Sequence, residues 1–234
     1  MKKEKKLLTV FLFILTIGSH AQSGIVTYGT KQYASENLQT DNERVIKIAD
    51  ELEVMQFTLK YTKEKSYFHK EKNLPKHSPY FAKMASVFAG ANEDSFQFLA
   101  TKEAYQNTAI ASKKYVVDYS YRMKGWKLTE EVKKIDNYNC YKAILLEYND
   151  RSDTYSEIIA WYAPQIPVPY GPAGYGGLPG LILQLQYRSC VYTVGKITFN
   201  PTKRVEIPNM EEGEKINQKQ MVHYMRMARK VTVD

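Results

Sequence analysis

Alternation of apolar and polar residues with period two dominates this chain. Met55, Phe57, Leu59 and Tyr61 alternate with polar neighbours, Thr62 to Lys65 breaks the pattern, and Ser66 to His69 resumes it, which predicts a β-hairpin. A first strand is predicted near Gly24 to Tyr33. From Asp94 onward strand-like segments follow one another across short polar turns: Phe96–Thr101, Tyr105–Ala111, Tyr115–Met123, Trp126–Ile135, Tyr138–Tyr148, Tyr155–Tyr162, Leu181–Tyr187 and Val191–Phe199. Helical spacing is confined to three places. Thr40-Asp41-Asn42-Glu43 reads as a capping box in front of the stripe Val45, Ile46, Ala49 and Leu52. A short helix is predicted over Pro79–Ala89, and Ile216, Met221, Tyr224, Met225 and Ala228 mark a surface helix in the tail Met210–Lys230. Strands in succession without crossover helices run antiparallel. The predicted fold is therefore mainly β, of α+β type: a curved antiparallel sheet or half-open barrel, with the helices of the first half packed on its concave side. A closed sandwich is the competing architecture. With no internal repeat and no linker, residues 22–234 read as one domain.

Composition sharpens this picture mainly by exclusion. At 234 residues and 44% hydrophobic there is material for a buried core, and Tyr 19 with Phe 9 favours strands. Two cysteines build neither a zinc ribbon nor an iron–sulfur cluster, and four histidines leave little for a metal centre of protein ligands. Neither a dinucleotide fingerprint nor a phosphate-binding glycine loop is present, so no cofactor is expected.

The first 21 residues carry an address. Lys2, Lys3, Lys5 and Lys6 precede an apolar run of eleven residues, Leu7–Ile17, and Ser19-His20-Ala21 supplies small residues at both cleavage-determining positions. This is the pattern of a secretory signal peptide, and the run is shorter than the ~20 residues that span a bilayer. No cysteine follows it to mark a lipoprotein. Cleavage before Gln22 removes a net +3 from the formal +8, leaving +5. The remaining charge is scattered rather than arranged as a basic stripe among aromatics, so no nucleic-acid partner is expected. The expected location is periplasmic or extracellular, with no membrane span after cleavage. An oxidising compartment also permits a disulfide between Cys140 and Cys190, which would close a loop of about 50 residues and stabilise by about 4 kcal/mol. The sequence leaves open whether they pair or stay as two buried thiols.

The most unusual composition lies between Trp161 and Leu183. Pro167, Pro169, Pro172 and Pro179 stand among Gly171, Gly174, Gly176, Gly177 and Gly180, a density that specifies a defined loop between two strands. Rigid loops with exposed aromatics are typical contact surfaces. The candidate binding residues are accordingly Trp161, Tyr162, Pro167, Tyr170, Gly171, Pro172, Tyr175, Gly177, Leu178, Pro179 and Gly180. The competing reading is a structural crossover that plugs one end of the sheet.

Within this loop the hexapeptide Gly177-Leu178-Pro179-Gly180-Leu181-Ile182 resembles the signature of the GLPGLI family, exported proteins of Bacteroidota also described by the Porph_ging domain. Trp126-Lys127-Leu128-Thr129-Glu130-Glu131, the stretch Ile135 to Lys142-Ala143 containing Cys140, and Ala160-Trp161-Tyr162 leading through Ile166-Pro167 to Gly171-Pro172 follow in family order. The resemblance covers roughly residues 126–183. It implies a non-catalytic envelope protein, in a family often encoded beside outer-membrane TonB-linked receptors, and it transfers no catalytic residue.

The chain's own candidates for chemistry are weak. Glu130, Glu131 and Asp136 lie close in sequence but fit a solvated strand face better than an acid–base pair. Ser78 with His77 or His69 and Asp94 can be assembled only on paper, without a nucleophile elbow. Met221, His223, Met225 and Met227 would share one face of a strand and suit Cu(I), whereas on a helix they do not converge. The sequence therefore points to a binding or accessory factor whose partner is an envelope protein such as an outer-membrane TonB-linked receptor. A carrier of an apolar or lipid ligand in a half-open barrel, and a hydrolase, are the alternatives.

Overall fold

The computed structural model describes residues 23–33, 41–149 and 153–231, so the predicted signal peptide and Thr40 of the predicted capping box lie outside the described residues. In chain order the elements are β1 (Ser23–Gln32), α1 (Glu43–Val54), β2 (Gln56–Thr62), β3 (Lys65–Lys70), α2 (Pro79–Ala89), β4 (Ser95–Phe98), β5 (Glu103–Ile110), β6 (Lys113–Asp118), β7 (Lys127–Ile135), β8 (Tyr138–Asn149), β9 (Thr154–Ala163), β10 (Leu181–Tyr187), β11 (Cys190–Phe199), β12 (Glu214–Asn217) and α3 (Gln218–Val231). The twelve strands form one sheet in the order β12-β6-β5-β4-β3-β2-β1-β11-β10-β9-β8-β7. Strand β1 is its seam: an antiparallel meander runs outward from β2 to β6 on one side, and a second runs inward from β7 to β11 on the other.

The elements read from the sequence recur here, with three departures. Asp118 Oδ1 accepts the Ser120 amide at 2.7 Å, which turns the chain out of β6 into a 3₁₀ turn over Ser120–Met123 where a continuous strand was expected. Strand β12 was not foreseen and pairs parallel to β6, so the sheet is mixed rather than purely antiparallel. Only Ile216 is buried in its four residues, too few to display a period. Helix α1 is capped by Asn42, whose side chain accepts the Arg44 amide at 3.0 Å, and Ile46 is 46% exposed while Ile48 packs on the core in its place.

The inward face is aromatic. Phe57 stacks on Phe68 with centroids 5.4 Å apart, and Tyr192 meets both edge-on. Thr30 donates to the Leu52 carbonyl at 2.7 Å and Tyr192 to the Ala89 carbonyl at 2.8 Å, so inward side chains of the sheet satisfy carbonyls at the C-terminal ends of α1 and α2. The two first-half helices are thereby fixed on the inward face.

The segment between β9 and β10 fills the rest of that face. Its backbone is tied to its own ends, with Leu181 N to Ile166 O at 2.9 Å and Ile182 N to Tyr170 O at 3.1 Å. It is tied equally to the opposite half of the sheet: Gln97 of β4 donates to Gly174 O at 3.1 Å, and Gly176 N donates to Arg122 O at 3.2 Å. Strands β4 and β10 stand five places apart in the sheet, so one loop can reach both only if the sheet curls around it. The loop is the filling of a half-open barrel.

Cys140 on β8 and Cys190 on β11 are both buried, unpaired thiols. Strands β9 and β10 lie between them, and three spacings of ~4.8 Å give about 14 Å, beyond the ~7 Å that a disulfide spans. The pairing left open by the sequence does not occur. Burial raises the Cys140 thiol to about 11 and the Cys190 thiol to about 12. Alkylation at pH 8 without reductant is therefore expected to label neither cysteine in folded protein and both in urea, read as two adducts by intact mass. The glycines supply a second test. Gly177 has φ +78°, and a Cβ there would lie 2.0 Å from the Met123 carbonyl oxygen, whereas a Cβ at Gly29 would meet nothing within 4 Å. Urea unfolding should show Gly177→Ala destabilised by about 2–4 kcal/mol and Gly29→Ala within about 1 kcal/mol of the parent.

Candidate functional site

The predicted binding residues divide sharply by location. Tyr170 and Tyr175 are 1% and 0% exposed, and Gly171, Pro172, Leu178 and Gly180 are buried with them. Tyr162, at 5%, lies on the inward face with its ring 6.2 Å from that of Tyr141. Pro167, Gly177 and Pro179 reach the surface at the rim. The reading of the loop tyrosines as a contact surface is therefore corrected: the sheet curls over them and they serve as core. Trp161 differs. It is half-buried on the outer face of β9, with Lys133 Nζ 4.1 Å above its ring.

At the inner end of the loop sits a buried charge cluster that the sequence reading did not single out. Arg122 and Glu147 are 4% and 2% exposed, with Arg122 Nη2 3.5 Å from Glu147 Oε1. Tyr121 donates to Glu147 Oε1 at 2.5 Å, and the Tyr175 hydroxyl donates to Oε2. Arg122 Nη1 donates to the Ala173 carbonyl at 2.9 Å, and its guanidinium lies 4.0 Å from the Tyr119 ring centroid and 4.7 Å from that of Tyr175. Burial alone would raise the Glu147 carboxyl, but Arg122 and the Tyr121 and Tyr175 hydroxyls outweigh it and hold the pKa below its ordinary value. A carboxylate so fully engaged stays ionised at neutral pH and is poorly suited to proton transfer. What the cluster does is mechanical: it joins the chain leaving β6 to β8, at opposite ends of the sheet order. A signal for it does exist in the sequence, because Glu147 falls in phase with the inward Ala143 and Leu145 of β8.

A cleft of about 520 Å³ opens beside this cluster, between α2, β5, β6, the β10–β11 turn and α3. Arg122, Arg188, Gln106 and Thr108 contribute polar groups, while Val117 and Met221 are among its apolar lining.

The weaker chemical candidates are not brought together. Glu131 pairs with Lys142 at 2.7 Å on the outer side of the β7–β8 ribbon. His77 Nε2 lies 2.7 Å from Asp50 Oδ2, Asp94 accepts from the Tyr67 hydroxyl at 2.6 Å, and Ser78 Oγ accepts the Phe81 amide at 3.4 Å as the cap of α2. His69 lies 3.2 Å from Glu71. Met221, His223, Met225 and Met227 lie on α3, where Met221 and Met225 pack toward β5 and β6 while His223 and Met227 are exposed. Among the described residues no three His, Cys, Asp or Glu side chains are grouped to hold a metal ion, and no helix is long and apolar enough to cross a membrane.

Removing one partner of the clamp tests its weight. Glu147→Gln leaves Arg122 buried without its counter-charge, and unfolding at pH 7 should show a loss of about 3–5 kcal/mol. Because the folded pKa lies below the ordinary 4.5, the unfolded chain binds more protons as the medium is acidified. The contribution is complete above the unfolded value and is lost as pH falls through the folded one, so the gap between parent and variant should narrow in that window.

Comparison with known proteins agrees with the fold and with the loop. Two solved structures of PNGF-II, in two crystal forms, match with TM-scores of 0.54 and 0.55 at 16% identity, over 89% of this chain and 34% of theirs. The likeness at that identity is one of fold, and this chain spans about a third of the length of PNGF-II. Among curated proteins none matches the chain. A sequence model of the Porph_ging family, described as a protein of unknown function, matches residues 149–184, a stretch that holds β9, the crossing loop and the start of β10. The hexapeptide Gly177–Ile182 lies inside that match, so over this stretch the chain is similar to the Porph_ging family.

Proposed function

We propose that this protein is an exported, non-catalytic binding or accessory factor of the cell envelope, acting in the periplasm or outside the cell on an envelope protein such as an outer-membrane TonB-linked receptor. The observation that carries this reading is an apolar surface on the outer face of β8 and β9. Leu146, Tyr148 and Tyr155 are 61%, 40% and 70% exposed, and the two tyrosine rings stand 5.2 Å apart. Trp161 continues the same face six residues along β9, flanked by Lys133 and by Lys142, its partner across the β8–β9 ladder. Exposed Tyr and Leu beside a half-buried Trp, bordered by charged side chains, are the composition of a protein–protein contact. The contact surface thus moves from the Pro/Gly loop to the sheet face beside it, and of the residues first singled out Trp161 remains its member.

The alternatives draw less support. A carrier holding an apolar ligand within the half-open barrel needs a vacant interior, and here the loop and its tyrosines fill it. A hydrolase needs an acid, base or nucleophile free to act. Among the candidates, Glu131, Asp94, Ser78, His69 and His77 are engaged with other partners instead.

The test is affinity capture from mildly solubilised envelope with the parent protein and with Leu146→Asp/Tyr155→Asp. Both side chains are exposed, so the thermal midpoint should stay within a few degrees. Stoichiometric recovery of an outer-membrane receptor by the parent, reduced at least about tenfold in the variant, is the expected outcome. Equal recovery by both, or a parent that comes down alone, would sink the reading.

A further inference from the structure

The cleft beside the Arg122–Glu147 clamp is unbalanced in charge. Lys83, Arg188 and Arg229 line it, and among the described residues none of the three has a carboxylate within ion-pair distance. The one acidic side chain in its lining, Glu93, is pushed toward its neutral form by burial. Arg122, buried at the cleft's inner side, has a guanidinium whose Nε has no partner. Arg188 lines the same cleft from the turn between β10 and β11. The Arg188 guanidinium is itself steadied over the Tyr187 ring at 5.0 Å.

Another part of the lining is apolar. Ile110 and Val117 come from the sheet, and Met221, Val222 and Met225 from α3. Methionine side chains adapt their shape at little cost, which suits a flexible hydrocarbon better than a rigid ring. A volume of about 520 Å³ falls within the ~300–1,000 Å³ of small-molecule sites.

From this juxtaposition of cationic side chains without carboxylate partners and an adaptable apolar wall, we propose that the cleft binds a carboxylate-headed apolar chain, its head at the exposed Arg188 guanidinium and its chain between the sheet and α3. The site is separate from the interior that the loop fills and from the outer face of β8 and β9. A guanidinium–carboxylate pair in such a site is both charged and bidentate, so the head supplies selectivity as well as affinity.

The experiment is calorimetric titration of the delipidated full chain with dodecanoate, dodecanol, dodecyltrimethylammonium and an apolar tripeptide bearing a free C-terminal carboxylate. Two variants accompany it. Arg188→Asn removes the exposed guanidinium with a residue that tolerates its φ of +53°. Val87→Trp, at a 48% exposed position on α2, narrows the cleft without touching the clamp. Dodecanoate should bind at least about tenfold tighter than dodecanol and tighter still than the cation. Arg188→Asn should erase most of that preference while leaving dodecanol unchanged, and Val87→Trp should weaken both. Absence of dodecanoate binding, equal binding of dodecanoate and dodecanol, or an Arg188→Asn protein that keeps the preference would each overturn the site. Binding of the tripeptide in place of dodecanoate would overturn the hydrocarbon chain and leave a peptide terminus as the ligand. Should Val87→Trp fail to fold, the Arg188→Asn comparison decides alone.

Discussion

The curl of the sheet depends on a buried ion pair. Arg122 leaves the end of β6 and Glu147 projects from β8, so their meeting draws together two strands that stand near opposite ends of a twelve-stranded sheet. A pair of this kind costs desolvation on both sides and is held by the rest of its shell: the Tyr121 and Tyr175 hydroxyls on the carboxylate, the Ala173 carbonyl and the Tyr119 and Tyr175 rings on the guanidinium. Two of these partners, Ala173 and Tyr175, come from the crossing loop. The pair and the loop thus presuppose each other, since the loop supplies the shell and the pair closes the sheet over the loop.

Tyrosine is the residue that makes this interior possible. A half-open barrel with helices and a loop packed inside buries many backbone carbonyls away from regular ladders, and each needs a donor. Tyr28 reaches the Ile182 carbonyl at 2.7 Å and Tyr192 the Ala89 carbonyl at 2.8 Å, while their rings fill the core. Phenylalanine would supply the area without the hydrogen bond. The high tyrosine content is thus a consequence of how the inward face is filled as well as of strand preference.

Most of the elements were legible because alternation is a local signal: α2 begins and ends where the sequence placed it, and the hairpin of β2 and β3 turns at the expected residues. The parallel strand β12 was not legible, as four residues with one buried side chain carry no period. The site was harder to read. Proline and glycine density announced a rigid loop, but whether Tyr170 and Tyr175 face water or core depends on the curvature of strands distant in sequence. The inward phase of Glu147 was visible in principle, yet its partner Arg122 sits in a 3₁₀ turn where no period exists to flag it.

The position of β1 has a consequence for how the chain reaches this structure. Within each meander, from β2 to β6 and from β7 to β11, every pairing is between strands that are consecutive along the chain. Strand β1 alone joins the two meanders, pairing Thr30 with Tyr192 and Gly24 with Phe199 across most of the described sequence. Loop closure over such a span is entropically slow. The closure cost of the fold is thus concentrated at one seam, with the parallel pairing of β12 and β6 as the other ladder contact between strands distant in the chain.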